Sequence, residues 1–233
     1  MSVLYLIPSL LSDSPWQNVL PAYNVEIIGN LKYFIVEDVR TARRFLKKLI
    51  PEIVIDDLCF MPLNKHTSDA DKSEYIKKLG QGGSVGIISE AGCPGIADPG
   101  AEIVALAHQK GIKVVSLIGP SSILLALISS GMNGQNFAFS GYLPVRQPER
   151  IKHIQQLEKM VVTHNQTQIF METPYRANAM LGDLLKTCNP DTKLCLAVDI
   201  TSENESIVTQ TIAKWKNNTP DLERRLVIFV LGS

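Results

Sequence analysis

The sequence has no excess of charge of either sign. Its 23 lysines and arginines balance 23 aspartates and glutamates, and its isoelectric point is near 6.9. A protein held on nucleic acid by bulk charge would be strongly basic, so the balance argues against that class. Any contact with nucleic acid has to come from a local patch of basic side chains.

Cysteine is scarce, with only Cys59, Cys93, Cys188 and Cys195 in the chain. They form no Cys-x-x-Cys pair and have no histidine at a zinc-binding spacing. This pattern argues against a disulfide scaffold and a structural zinc site. We therefore expect reduced thiols, no metal and a cytoplasmic protein.

Long apolar runs are also missing. Residues 114–145 carry no charge, but Gly119-Pro120, Gly131 and Asn133-Gly134 divide them into short elements. The apolar residues near the start are too few for a signal peptide. We expect no membrane partner and a soluble globular protein, because 45% of the 233 residues are hydrophobic.

Strand and helix patterns alternate along the first half of the chain. The expected strands are 3–7, 32–37, 58–63, 84–89 and 113–118, and the expected helices are 39–50, 68–79 and 101–110. Residues between 8 and 31 stay unassigned. The alternation predicts a parallel sheet with helices on its faces.

The second half repeats this alternation less regularly. The expected strands are 137–141, 168–171, 194–200 and 226–231, and the expected helices are 121–130, 148–163, 174–187 and 211–217. Gly119-Pro120 marks the crossing, which gives two α/β domains of residues 1–118 and 119–233.

The loop Ser89–Gly100 joins a buried strand to a helix and contains three glycines and two prolines. Such a loop lets backbone amides approach a ligand closely. It is neither Gly-x-Gly-x-x-Gly nor a Walker loop, and its Glu90 and Asp98 would repel a polyphosphate. We expect Asp98 to cap the helix, and Glu90, Gly92 and Cys93 to be candidates for contact with a ligand that carries a ribose and a positive charge.

Other strand ends carry polar residues of the same kind. Glu37 ends a predicted strand, Ser121 and Ser122 open a helix, and Glu172 follows another strand. If these ends share one edge, they enclose a cleft with acidic walls. Glu37 is a candidate general base, with pairing to Arg40 or Arg176 as the structural alternative, and His66 is a second candidate for the base.

The helix after Asp38 has a basic stripe at i, i+3, i+4, i+7 and i+8. Its members are Arg40, Arg43, Arg44, Lys47 and Lys48. Five cations on one face predict contact with RNA phosphates, against the alternative of a solvated outer face.

Several motifs together resemble, in order and spacing, the pattern of the tetrapyrrole methylase superfamily. They are Leu4-Tyr5-Leu6-Ile7-Pro8, Glu37-Asp38-Val39-Arg40, the loop Ser89–Gly100, Gly119-Pro120-Ser121-Ser122, Gly141-Tyr142-Leu143-Pro144 and Glu172-Thr173-Pro174-Tyr175-Arg176. The resemblance implies a two-lobed α/β fold that binds S-adenosylmethionine in a cleft between its lobes, usually as a homodimer. Within the superfamily, the chain is most similar to enzymes that methylate a ribose 2′-hydroxyl of small-subunit ribosomal RNA.

The resemblance also implies roles for individual residues. Glu37 and Arg40 are the expected catalytic residues. The expected cofactor contacts are Pro8, Glu90, Ala91, Gly92, Cys93, Pro94, Ile96, Ser121, Ser122, Met171 and Ala197.

Two departures from the pattern leave alternatives open. Pro8 is followed by Ser9-Leu10-Leu11 in place of the family's Ile-Gly-Asn, and Val198, Asp199 and Ser202 replace an Arg, a Glu and a Lys. A non-catalytic module that binds RNA or the ribosome, or a methyltransferase with a small tetrapyrrole-like acceptor, are therefore the alternatives to a ribosomal RNA methyltransferase.

Overall fold

The first structural unit, Met1–Ser121, is built on a five-stranded parallel sheet. The computed structural model describes residues 2–64, 66–80 and 83–233. The strands are β1 (Val3–Ile7), β2 (Tyr33–Val36), β3 (Cys59–Pro62), β4 (Val85–Ile88) and β5 (Lys113–Ser116). They lie in the order β3-β2-β4-β1-β5, and every pairing is parallel, as the alternation of strand and helix predicts.

Four helices belong to this unit: α1 (Ala22–Gly29), α2 (Val39–Leu49), α3 (Asp69–Gly80) and α4 (Gly100–Gln109). Helix α1 occupies the stretch that the sequence left unassigned. Pro21 precedes it and supplies no side-chain cap, so the usual start signal is absent.

The other helices begin and end where capping chemistry predicts. The Asp38 carboxylate accepts the Thr41 N–H at 2.8 Å, and Ser68 and Asp71 form a reciprocal pair at the start of α3. Gly111 has a φ of 64° and ends α4 in a left-handed turn. Helix α2 buries its predicted apolar side, which comprises Ala42, Phe45, Leu46 and Leu49.

The second unit, Ser122–Ser233, holds a mixed five-stranded sheet. Its strands are β6 (Phe137–Tyr142), β7 (Thr167–Glu172), β8 (Lys193–Val198), β9 (Ser206–Thr211) and β10 (Val227–Gly232), and its helices are α5 (Ser122–Ser130), α6 (Gln147–His164), α7 (Ala177–Thr187) and α8 (Ile212–Asn217). The division between the units follows Ser121, whereas the sequence placed it after residue 118.

The pairing in this second sheet is mixed, in keeping with its less regular alternation of strand and helix. Its order is β6-β7-β10-β8-β9; β6 and β7 pair in parallel, and the other three pairings are antiparallel. Strand β9, which the sequence analysis missed, forms a hairpin with β8, and β10 inserts between β7 and β8. Strand β9 alternates Ser, Val and Gln with Ile and Thr, so it lacks the apolar run that marked the other strands.

A buried ion pair connects α6 and α7. Arg150 donates from Nε and Nη2 to the Asp183 carboxylate at 2.8 and 2.6 Å, and its Nη1 donates to the Val145 carbonyl at 2.7 Å. The two side chains are only 9% and 4% exposed. The pair therefore anchors the segment that follows β6 at Pro144 and Val145, and each of its charges is compensated by the other.

We predict that Asp183→Asn lowers the free energy of unfolding by about 3 kcal/mol, because it leaves the Arg150 charge buried without its counterion. Urea unfolding followed by circular dichroism measures the change. Glu149→Gln, which alters an exposed pair on the same helix at 3.8 Å from Arg146, serves as the control. An equal effect of both substitutions on the free energy of unfolding would contradict the stabilising role of the buried Arg150–Asp183 pair.

Candidate functional site

The carboxyl ends of three parallel strands meet at one edge of the first sheet. Ile88 at the end of β4 pairs with Ile7 of β1 and with Val36 of β2. The residues that follow these ends are therefore neighbours. Pro8, Glu37 and the loop Ser89–Gly100 lie at one edge, as the sequence predicts.

The loop Ser89–Gly100 is held by the carbonyl oxygen of Gly92. This oxygen accepts the Ser9 N–H at 2.9 Å and the Ser89 hydroxyl at 2.7 Å. The Cys93 thiol donates to the Pro120 carbonyl at 3.5 Å. The loop is thus connected to the segments that follow both β1 and β5.

Two glycines make this close packing feasible. Gly92 has a φ of 73°, and a Cβ on it would lie 3.4 Å from the Pro120 oxygen. A Cβ on Gly119 would lie 2.2 Å from Pro8 Cγ. Larger residues at either position would displace Pro8 or the loop.

Asp98 has a structural role in the loop. Its Oδ1 accepts the Gly95 N–H at 2.7 Å and the Gly100 N–H at 2.8 Å. The N-cap position belongs to Pro99, so Asp98 is one residue earlier than predicted, although it still satisfies the first amide of α4. Ala91 and Ile96 are exposed, Cys93 is half-buried, and Gly92 and Pro94 are buried.

Three carboxylates surround the end of β2. Burial raises the pKa of Glu37, and the nearby charges of Asp98 and Glu90 raise it further, while a hydrogen bond from the Glu90 backbone amide lowers it. The predicted alternative partner Arg176 instead donates to Glu172 at 2.5 Å. Glu37 is thus a partly desolvated carboxylate in an acidic environment.

The second expected catalytic residue, Arg40, and the second candidate for the base, His66, lie in more exposed places. Arg40 is exposed in the first turn of α2; hydrogen bonds from Thr41 lower the pKa of Asp38, and the Arg40 charge lowers it further. His66 is exposed and its backbone amide donates to Asn64 Oδ1 at 2.9 Å. Burial raises the pKa of the Cys93 thiol, which argues against a nucleophilic role for it.

A cavity of about 240 Å³ lies between α2 and the ends of β1 and β4. We call it the α2 cavity. Its polar lining includes Ser9, Ser12, Asp13, Arg44, Lys48 and Glu90. Glu90 connects this cavity to the acidic group, because it lines the cavity and also acts on the pKa of Glu37. Sequence analysis missed the cavity, since its walls come from three separate segments.

The basic stripe lies on the exposed side of α2, opposite its buried apolar residues, and three of its five members have local partners. Arg43 lies over the Phe60 ring at 5.4 Å, and Lys47 donates to the Pro51 carbonyl at 2.9 Å. Lys48 pairs with Asp13 at 2.5 Å. Long basic side chains find local partners through their reach, which helical spacing does not reveal.

The second unit aligns two further candidates in one row of its sheet. Met171 of β7 and Ala197 of β8 both pair with Ile228 of β10. Ser121 is buried at the end of the first unit, and Ser122 is the first residue of α5. The altered residue Asp199 accepts the Leu226 N–H at 2.9 Å and also binds Arg225, so it stabilises the turn after β8.

Within residues 2–64, 66–80 and 83–233, no group of three His, Cys, Asp or Glu side chains is arranged to hold a metal ion. Over the same residues, no helix combines the length and the apolar character needed to cross a bilayer.

Solved structures of methyltransferases share this fold. The methyltransferase CobJ matches with a TM-score of 0.64 at 13% identity, over 100% of this chain and 93% of its own. The cobalt precorrin-4 methyltransferase CbiF matches with a TM-score of 0.62 at 13% identity, over 99% and 94%. At this identity, the likeness confirms the predicted α/β fold alone.

Sequence comparison identifies nearer relatives, two of which are ribosomal RNA small subunit methyltransferases I. The protein from Synechocystis is 30% identical over 232 residues, which cover 98% of this chain and 79% of that protein. The protein from Bacillus subtilis is 29% identical over 223 residues, covering 93% and 71%. The predicted similarity to this branch is confirmed.

A profile described as Tetrapyrrole (Corrin/Porphyrin) Methylases matches residues 23–215. This range includes the end of β2, the loop Ser89–Gly100 and the altered motif of Val198, Asp199 and Ser202. Together with the relatives above, it shows that the chain belongs to the tetrapyrrole methylase family of methyltransferases.

Proposed function

We propose that the protein uses S-adenosylmethionine to methylate a ribose 2′-hydroxyl of small-subunit ribosomal RNA. The observation that carries this proposal is the group of Glu37, Glu90 and Asp98 around a glycine-rich loop at one sheet edge. The names of the relatives in Synechocystis and Bacillus subtilis support the RNA substrate. A ribosomal substrate would also place the protein in the cytoplasm.

The residues present fit the cofactor. Carboxylates repel a polyphosphate and attract a cation, and the positive φ of the buried Gly92 favours a residue without a Cβ. When bound, S-adenosylmethionine supplies a methyl group on a positively charged sulfur. The proposed contacts are Pro8, Glu90, Ala91, Gly92, Cys93, Pro94, Ile96 and Ser121 in the first unit, and Ser122, Met171 and Ala197 in the second.

Transfer of a methyl group from a positively charged sulfur to a hydroxyl oxygen is an in-line displacement. Most of its acceleration comes from positioning the methyl donor and the acceptor. The chain also has to accept a proton, because the hydroxyl oxygen gains the methyl group and loses its hydrogen. Glu37 is the proposed base that takes this proton. The raised pKa of Glu37 brings it nearer to the pH at which the enzyme works. Arg40 is the second proposed catalytic residue.

We further propose a homodimer. Helix α5 supports this, because Leu124 and Ile128 lie one turn apart and are 50% and 73% exposed. Light scattering measures the mass in solution, and a value of one chain at micromolar concentration would remove this part of the proposal.

We predict that Gly92→Ala raises the dissociation constant for S-adenosylmethionine at least tenfold, measured by calorimetry. Its Cβ would lie 3.3 Å from Leu11 Cδ2, so the side chain or the loop has to shift at a buried position that the cofactor is proposed to contact. Gly111→Ala is the matched control, because Gly111 has a similar φ of 64° but no neighbour within 4 Å of a Cβ. The control carries the same backbone strain and should bind the cofactor within twofold of the wild type. Equal losses in both variants would contradict the assigned role of the loop.

We predict that Glu37→Gln lowers methyl transfer at least a hundredfold, far more than it lowers cofactor affinity. In the wild type, transfer falls as the pH drops through a pKa above the ordinary glutamate value of 4.5. An unchanged pH profile in the variant would exclude Glu37 as the base.

The same substitution has a signature in stability. The pKa of Glu37 is raised in the folded state, so its stabilising effect is complete below the unfolded pKa and is lost as the pH rises through the folded one. Glu37→Gln should therefore raise the melting temperature at pH 8 but not at pH 4. A drop at pH 8 would instead indicate that the ionised carboxylate stabilises the fold.

A further inference from the structure

The α2 cavity has a lining whose donors are mostly satisfied within the protein. The Thr41 hydroxyl donates to Asp38 at 3.1 Å, and the Ser89 hydroxyl donates to the Gly92 carbonyl. Lys48 is engaged by Asp13. These groups shape the cavity without requiring a ligand.

Two lining groups are different. Among the described residues, the buried Ser9 hydroxyl has no hydrogen-bond partner, in a residue that is 4% exposed. Across the same part of the chain, the Arg44 guanidinium has no ion pair, although it lines the cavity together with Glu90. A buried hydroxyl and an arginine without partners are groups that a bound anion with acceptor oxygens would satisfy.

The size of the cavity limits the ligand. Sites for drug-sized molecules usually measure about 300 to 1,000 Å³, so 240 Å³ suits one phosphate with its sugar better than a whole cofactor. The charged residues of the lining also suit a phosphate with its sugar. Arg44 and Lys48 are basic, whereas Glu90 is acidic and its charge raises the pKa of the proposed base Glu37.

We propose that the α2 cavity binds the ribonucleotide that accepts the methyl group, with Arg44 and Ser9 holding its phosphodiester oxygens. This inference rests on the proposed function for the identity of the ligand. Arg44 is a positioning residue, which fixes the phosphate so that the attached ribose lies toward Glu90 and Glu37. Lys48 adds a second positive charge to the same wall, since its pair with the fully exposed Asp13 is screened by solvent.

The test is a calorimetric titration of cytidine 3′,5′-bisphosphate into the full chain, in the presence and absence of S-adenosylhomocysteine. We expect Arg44→Gln to raise the dissociation constant at least fivefold and Ser9→Ala about threefold. Lys47→Gln is the matched control, because it removes a cation from the same helix outside the cavity and should change the constant by less than 1.5-fold. Cytidine without phosphate groups should bind the Arg44→Gln variant and the wild type equally.

Folding is checked independently. Arg44 and the Ser9 hydroxyl have no hydrogen bond or ion pair with any residue that the structure describes, so neither variant should lower the melting temperature. Equal weakening by Arg44→Gln and Lys47→Gln, or no binding to the wild type at 10 mM, would overturn the inference. The binding titration requires no methyl transfer. A failure of the proposed activity would be seen as no transfer to ribosomal subunits, so it is distinguishable from a failure of the cavity to bind the nucleotide.

Discussion

The candidate site depends on one acceptor, the carbonyl oxygen of Gly92. By accepting the Ser9 N–H and the Ser89 hydroxyl, it joins the chain after β1 to the loop after β4. Glycine is favoured there, because the backbone has a positive φ and a Cβ would lie 3.3 Å from Leu11 Cδ2. The same contact fixes one wall of the α2 cavity and the backbone of Glu90. The cofactor loop and the proposed acceptor cavity therefore share a single constraint.

Burial of acidic groups at this edge has an energetic consequence. Glu37 lies where desolvation and two neighbouring carboxylates oppose its ionisation. A fold selected for stability alone would have no reason to place it there. The arrangement is understandable if a positively charged ligand compensates the carboxylates and if a base with a raised pKa is useful. Function and stability are thus in opposition at one residue.

The sequence predicted the first unit better than the second for physical reasons. Buried parallel strands read as continuous apolar runs, and Asp38, Ser68 and Gly111 marked the helix ends. Helix α1 has no side-chain cap at its start, and strand β9 has mixed polarity, so the sequence pattern predicted neither element. Glu37 and the loop were predicted from their places at strand ends. The α2 cavity was not, because local partners decide which cations on α2 remain available, and only tertiary structure shows those partners.

The most direct test of this account is the chemical form of the product. Small ribosomal subunits from a strain that lacks the protein would be incubated with it and labelled S-adenosylmethionine, and the RNA would then be hydrolysed in alkali. A methyl group on the ribose 2′-oxygen blocks cleavage at that position, so the account predicts label in an alkali-resistant dinucleotide. Label released entirely as mononucleotide would place the methyl group on a base, and no label in RNA would contradict the proposed substrate.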